Sequence, residues 1–170
     1  AMTFMVGVGL GVAAMIRAGN QKGLSDFISL RRITLSIFLL TVLIEIVFAS
    51  LFFILRDWLP TLYLDTENIS KVIENKEVIL IASKLLLIVA LFQIFDGLQV
   101  VVLGALRGMQ DVKIPTIMTF VAYWMIGFPI CYYLGLHTPL KSTGIWIGLL
   151  ISLISASIML CLRFNYLNKF

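Results

Sequence analysis

LLLIVALFQIFDGLQVVVLGAL, residues 85–106, runs unbroken between Lys84 and Arg107 and decides how the rest of the chain is read. At about 1.5 Å of rise per residue, its 22 residues cross a hydrocarbon layer of about 30 Å as an α-helix. Its one charged residue, Asp96, sits at the midpoint. A carboxylate at that depth costs about 2.5–3.5 kcal/mol on insertion scales, so it faces a cavity or a partner rather than lipid, and a functional role is its first reading.

Composition carries this reading outward. Hydrophobic residues make up 61% of the chain and charged residues 13%, with a mean hydropathy of +1.05, which places it among polytopic membrane proteins. Cut at its charges, the sequence leaves apolar segments at 1–16, 33–55, 85–106, 114–136 and 142–162. Such lengths are too great for strands and predict an all-α integral membrane protein, a transmembrane helix bundle of about five spans. The first segment is short, lacks a basic leader and a cleavage site, and begins as if inside a span, so the chain is expected to be a fragment.

The net charge of +4 does not imply nucleic acid, because the basic residues stand at the ends of apolar runs and form no face for a phosphate backbone. They read as topology signals instead. Eight (Arg17, Lys22, Arg31, Arg32, Arg107, Lys113, Arg163, Lys169) fall on one side and five (Arg56, Lys71, Lys76, Lys84, Lys141) on the other. The richer side is expected in the cytoplasm, and the carboxyl terminus with it. Cys131 and Cys161 lie inside predicted spans without metal-ligand spacing and are read as small core residues.

Polar residues within the spans are the candidate site. In the third span Gln93, Asp96, Gln99 and Arg107 project within about a third of the circumference, and Ser83, Ala90, Gly97 and Gly104 recur every seven residues beside them. A small-residue seam beside a polar stripe predicts a helix packed closely on one side and open to a wet cavity on the other; the alternative is an amide and carboxyl network that only joins helices. Glu45, near the middle of the second span with Thr41 and Thr34 on its face, is either a second proton or cation ligand or a hydrogen-bonded carboxyl. Gly7, Gly11 and Ala14 give the first span its own close-packing face.

The fourth span begins after a tight turn at 107–115 and carries Tyr123, Trp124, Gly127 and Pro129. Pro129 predicts a kink. Trp124 is too deep for an interfacial belt, so it either packs between helices or offers its ring to a cationic ligand, with Tyr123 beside it. Between spans two and three, Trp58 and Tyr63 are expected interfacial anchors. After the potential cap Thr66, Ile69, Val72 and Ile73 suggest an amphipathic helix or an extension of span three, and Asn68–Ser70 matches a glycosylation triplet. Glu45, Asp96 and His137 have no catalytic spacing, so an enzyme is not expected, nor is a metal site or a cofactor.

The segment FDGLQVVVLGALRGMQDVKIPTIMTFVAYWMIGFPICYYLG resembles the carboxyl-terminal half of the multidrug and toxic compound extrusion (MATE) family, in its bacterial drug-efflux branch. The matching elements are Asp96 with Gln99, the run Gly104 to Gly108, Asp111, Lys113, Tyr123–Trp124, Gly127, Pro129 and Gly144, with Ile16 to Asn20 resembling a turn after an earlier span. The resemblance implies most of one six-helix lobe of a twelve-helix transporter in a bacterial inner membrane, with the amino-terminal lobe as its missing partner. It implies exchange of Na⁺ or H⁺ for small cationic amphipathic drugs by alternating access, with Asp96 as the coupling acid. A tyrosine that can accompany that acid one turn earlier is Phe92 here, and Glu45 has no counterpart in the motif. The rival readings are a related lipid-linked saccharide flippase, whose cavity should be more cationic, and a structural membrane module without transport.

Overall fold

The long apolar runs fold as long helices, because only a helix satisfies every backbone polar group within its own segment in lipid. The computed structural model describes residues 2–62 and 72–168. In order come α1 (Met2–Gly23), α2 (Phe27–Leu55), a 3₁₀ turn (Leu59–Leu62), α3 (Val72–Gly108), α4 (Lys113–Phe120), a π-helical segment (Val121–Gly127), α5 (Phe128–Leu136) and α6 (Lys141–Leu167). Segments α4 to α5 follow one another without a break, so among the described residues five stretches are long and apolar enough to cross a membrane. The helices extend past the charges that bounded the expected spans: α2 has 29 residues and α3 has 37, against the roughly 20 a crossing needs. The expected anchor Tyr63, the cap Thr66, Ile69 and the Asn68–Ser70 triplet lie outside the described residues.

Helix α3 is central, packing against α1, α2 and α6. The apolar core gathers towards its Arg107 end, where Val101, Val102, Ala105, Leu106 and Met109 meet Ala14 and Ala18 of α1, Leu30 and Phe38 of α2, and Leu160 and Phe164 of α6. The Phe38 and Phe164 rings meet edge to face with centroids 5.1 Å apart, a favoured aromatic geometry.

Two turns at this end share one construction. Ser25 (φ 57°) and Gln110 (φ 63°) adopt the left-handed conformation after α1 and α3, and the following N–H groups, of Asp26 and Asp111, bond back to the carbonyls of Gln21 and Leu106. That closes the last turn of each helix although neither position is the usual glycine. Asp26 then caps α2, accepting from the Ser29 N–H at 2.9 Å. Hydrogen bonds from the Ser29 side chain and backbone hold its carboxyl below the usual carboxylate range. Lys22 donates to the Met109 carbonyl, and Arg163 Nε pairs with Asp111 at 2.8 Å, tying α1 and α6 to the turn after α3.

The fourth span departs from the expected simple proline kink. Pro129 has no N–H to offer the preceding turn, and the ladder slips to π spacing before it, with the Phe128 N–H reaching Tyr123 O five residues back. Pro129 itself stands in the first turn of α5, where no donor is required.

Candidate functional site

The site is set by where α3 lacks side chains. A Cβ on Gly104 or Gly108 would overlap the backbone carbonyls of Gly11 or Met15, and one on Gly11 would lie 3.2 Å from Val100 O, so α1 and α3 cross at backbone contact. Further along the same seam, Gly97 and Gly7 leave a slot that is filled from a third helix. Glu45 of α2 enters it: a Cβ on Gly97 would lie 2.5 Å from Glu45 Oε1, and one on Gly7 would lie 3.3 Å from it.

Glu45 is 1% exposed. Its other oxygen, Oε2, accepts from Gln93 Nε2 of α3 at 2.9 Å. Its expected companions Thr34 and Thr41 are buried on the same face of α2, but their hydroxyls donate to the Leu30 and Ile37 carbonyls of their own helix and extend no polar path.

Asp96 stands one turn along α3 from Gln93 and is half-buried. Among the described residues no hydrogen-bond donor and no Lys or Arg pairs with its carboxyl, although it lies within electrostatic reach of Glu45 and of the Tyr123 hydroxyl. Gln99, one turn further, is buried and accepts from Tyr123 Oη at 2.8 Å. The π segment therefore presents Tyr123 to α3. Gly127, the last residue of that segment, lets it approach α6, since a Cβ there would lie 2.5 Å from Ser152 Cβ. Ser157 of α6 donates to Phe95 O at 3.1 Å.

Glu45, Gln93, Asp96, Gln99 and Tyr123 are thus brought to one level of the bundle from three spans. Arg107, on the expected stripe, is exposed at the end of α3 and takes no part. Trp124 is 62% exposed and does not pack between the described helices. Its ring lies in a ladder along its own span, with Phe120 and Phe128 centroids 6.1 and 6.0 Å away and planes inclined by 25° and 29°. His137 ends α5 and stacks on Tyr133. Cys131 and Cys161 are unpaired and half-buried. The Tyr123–Gln99 bond and the glycine slot around Glu45 were not predicted from the sequence; the only signals were the seven-residue spacing of Gly97 and Gly104 and the presence of Gly7.

These features define an integral membrane helix bundle with carboxyl and amide side chains gathered between its spans. The MatE family profile matches residues 1–133. Relatives include the probable multidrug resistance protein NorM of Rhodopseudomonas palustris, 37% identical over 169 residues (99% of this chain and 35% of that protein). The multidrug resistance protein NorM of Photobacterium profundum is 34% identical over 171 residues (98% and 36%). That of Vibrio vulnificus is 35% identical over 173 residues (99% and 36%). The chain belongs to the MatE family, and it spans about a third of the length of the relatives it matches.

Proposed function

We propose that this chain is the carboxyl-terminal part of an antiporter that exports small cationic amphipathic compounds in exchange for H⁺ or Na⁺ by alternating access. The observation that carries the reading is Asp96: an acid well inside a membrane helix, half-open, with no basic partner among the described residues. An acid serving only to join helices would be expected to spend both its oxygens on donors, whereas no described donor reaches Asp96. Membership of a family whose relatives are named multidrug resistance proteins points the same way.

In this mechanism Asp96 is occupied alternately by the coupling cation and by cationic substrate, and each occupant favours a different opening of the lobe. Gln93 and Gln99 flank it on the same face. The exposed rings of Phe120, Trp124 and Phe128 offer a stacking surface suited to flat cations. Gly127 and Pro129, at the slipped part of the fourth span, mark where that span would flex. One charge falling through 100 mV releases about 2.3 kcal/mol, enough to hold a concentration ratio of about fiftyfold. The surplus of basic residues on one side supports a carboxyl terminus on the cytoplasmic side of a bacterial inner membrane. The partner is the remainder of the transporter, including an amino-terminal lobe.

The test is Asp96→Asn in the full-length protein, reconstituted in liposomes with an imposed cation gradient and ethidium as substrate. Loss of gradient-driven ethidium movement, with an unchanged size-exclusion profile, is the expected result. Undiminished coupled movement removes Asp96 from the mechanism.

A further inference from the structure

We propose that Glu45 is a second coupling carboxyl that carries a proton through the cycle together with Asp96. This rests on the coupling role given to Asp96 above. The first argument is placement. Glu45 is 1% exposed, yet no Lys or Arg among the described residues pairs with it, and burying an unpaired carboxylate is costly enough that such a group ordinarily holds a proton or a cation.

The second argument is shape. Oε1 lies against Gly7 of α1 and Gly97 of α3, in a slot that would not admit even a methyl group on Gly97, where a Cβ would be 2.5 Å from that oxygen. A metal ion needs several oxygen ligands around it, and this slot presents glycine Cα atoms. A proton is the cation that fits. Oε2 accepts from Gln93 Nε2, and an amide donor suits either protonation state because the other oxygen is left to bear the proton.

The third argument is the neighbour. On α3 the groups near Glu45 are Gln93, neutral, and Asp96, the one titratable side chain in electrostatic reach among the described residues. On α1 the contact is Gly7, and the charged residues of that helix, Arg17 and Lys22, stand in its last two turns. The charge of Asp96 reaches Glu45, so what occupies the one carboxyl bears on the other. In each cycle one O–H bond forms at Glu45 with a proton from one side of the membrane and breaks to water on the other, so the net change is one further proton moved.

The experiment uses the full-length transporter in liposomes with the membrane potential clamped at zero, a pH difference of one unit, and tetraphenylphosphonium as substrate. Each coupled proton then sustains about a tenfold substrate ratio. Glu45→Gln keeps the size and the Gln93 contact while removing the titration, so it is expected to lower the sustained ratio about tenfold below wild type, with substrate binding retained. A purely structural Glu45 predicts the wild-type ratio from Glu45→Gln, and that result overturns the proposal. Failure of the Asp96 reading looks different, since there Asp96→Asn itself remains coupled.

Should Glu45→Gln not fold, Glu45→Asp carries the test. It must keep the wild-type ratio and move a pH-dependent protonated-carboxyl band in the infrared difference spectrum. An unmoved band overturns the proposal as well.

Discussion

Replacing Gly104 with alanine drives a methyl group into the backbone of α1. Besides the overlap with the Gly11 carbonyl oxygen, the new Cβ would lie 2.9 Å from Gly11 C and 3.2 Å from its Cα, against ordinary separations of about 3.5–4.0 Å. All three are backbone atoms, so no rotamer relieves them, and α1 and α3 must move apart. The movement also loosens Ala14 and Ala18 against Val101 and Ala105 in the core. Forcing atoms into a packed interior costs about 1–3 kcal/mol, partly masked by the gain of about 0.8–1 kcal/mol when alanine replaces glycine in a helix. Gly9→Ala supplies the control. It lies on α1, the partner helix at that crossing, a Cβ there meets nothing within 4 Å, and it receives the same propensity gain. The difference between the two variants therefore isolates the packing and is expected to be about 1–3 kcal/mol in favour of Gly9→Ala. Thermal unfolding of the full-length protein in detergent, followed by size-exclusion of the surviving fraction, measures it. Identical midpoints for Gly104→Ala and Gly9→Ala would refute backbone contact between α1 and α3.

The turn residues and the ion pair give two further expectations. Gln110 holds φ at 63°, a conformation that costs a side-chain-bearing residue about 1–2 kcal/mol. Part of that cost is offset when glycine enlarges the freedom of the unfolded chain, so Gln110→Gly should stabilise by about 0.5–1 kcal/mol, read in the same unfolding assay; destabilisation would contradict the turn geometry. Arg163 and Asp111 pair at 2.8 Å with side chains only 17% and 15% exposed, so Arg163→Ala should cost about 1.5–3 kcal/mol. In a double-mutant cycle the Asp111→Ala, Arg163→Ala protein should lose less than the sum of the two single losses; strict additivity would mean that the pair contributes nothing.

What the sequence revealed and what it hid divide along a physical line. The number of spans and the presence of Asp96 and Glu45 within two of them are one-dimensional properties and could be read directly, while the helix ends ran past the charges that bounded the expected segments. The seam was legible for the same reason, since Gly97 and Gly104 repeat at a helical period. The slot that receives Glu45 was not, because its walls come from α1 and α3 and its occupant from α2, and no spacing within one span encodes a three-helix contact. Pro129 announced a disturbance in the fourth span, but the register slips in the residues before it, which turns Tyr123 towards Gln99. The aromatic ladder is legible in the sequence, since Phe120, Trp124 and Phe128 are spaced four apart and so share one helical face.

The glycines also decide which parts of the bundle can move against each other. Helices α1 and α3 meet backbone to backbone along Gly11, Gly19, Gly104 and Gly108. Helices α5 and α6 do likewise, where a Cβ on Gly148 would lie 2.8 Å from Cys131 N and one on Gly144 would overlap Leu134 O. Contacts of this kind have no side-chain freedom to absorb displacement, so each pair behaves as one body. Between the bodies the links differ from end to end. Towards Arg107 they are Val102, Leu160 and Phe164 in the apolar core, together with the Arg163–Asp111 pair. Around the level of Asp96 they include two hydrogen bonds, Tyr123 to Gln99 and Ser157 to Phe95 O, each worth about 0.5–1.5 kcal/mol net, and the edge-to-face contact of Phe92 with Trp146, centroids 6.2 Å apart. Separation is therefore cheapest at the level of the unpaired carboxyl and most costly at the packed end. In the mechanism proposed above, a change of occupant at Asp96 would act on this less firmly held junction, where a small energy difference suffices to shift the population of two arrangements.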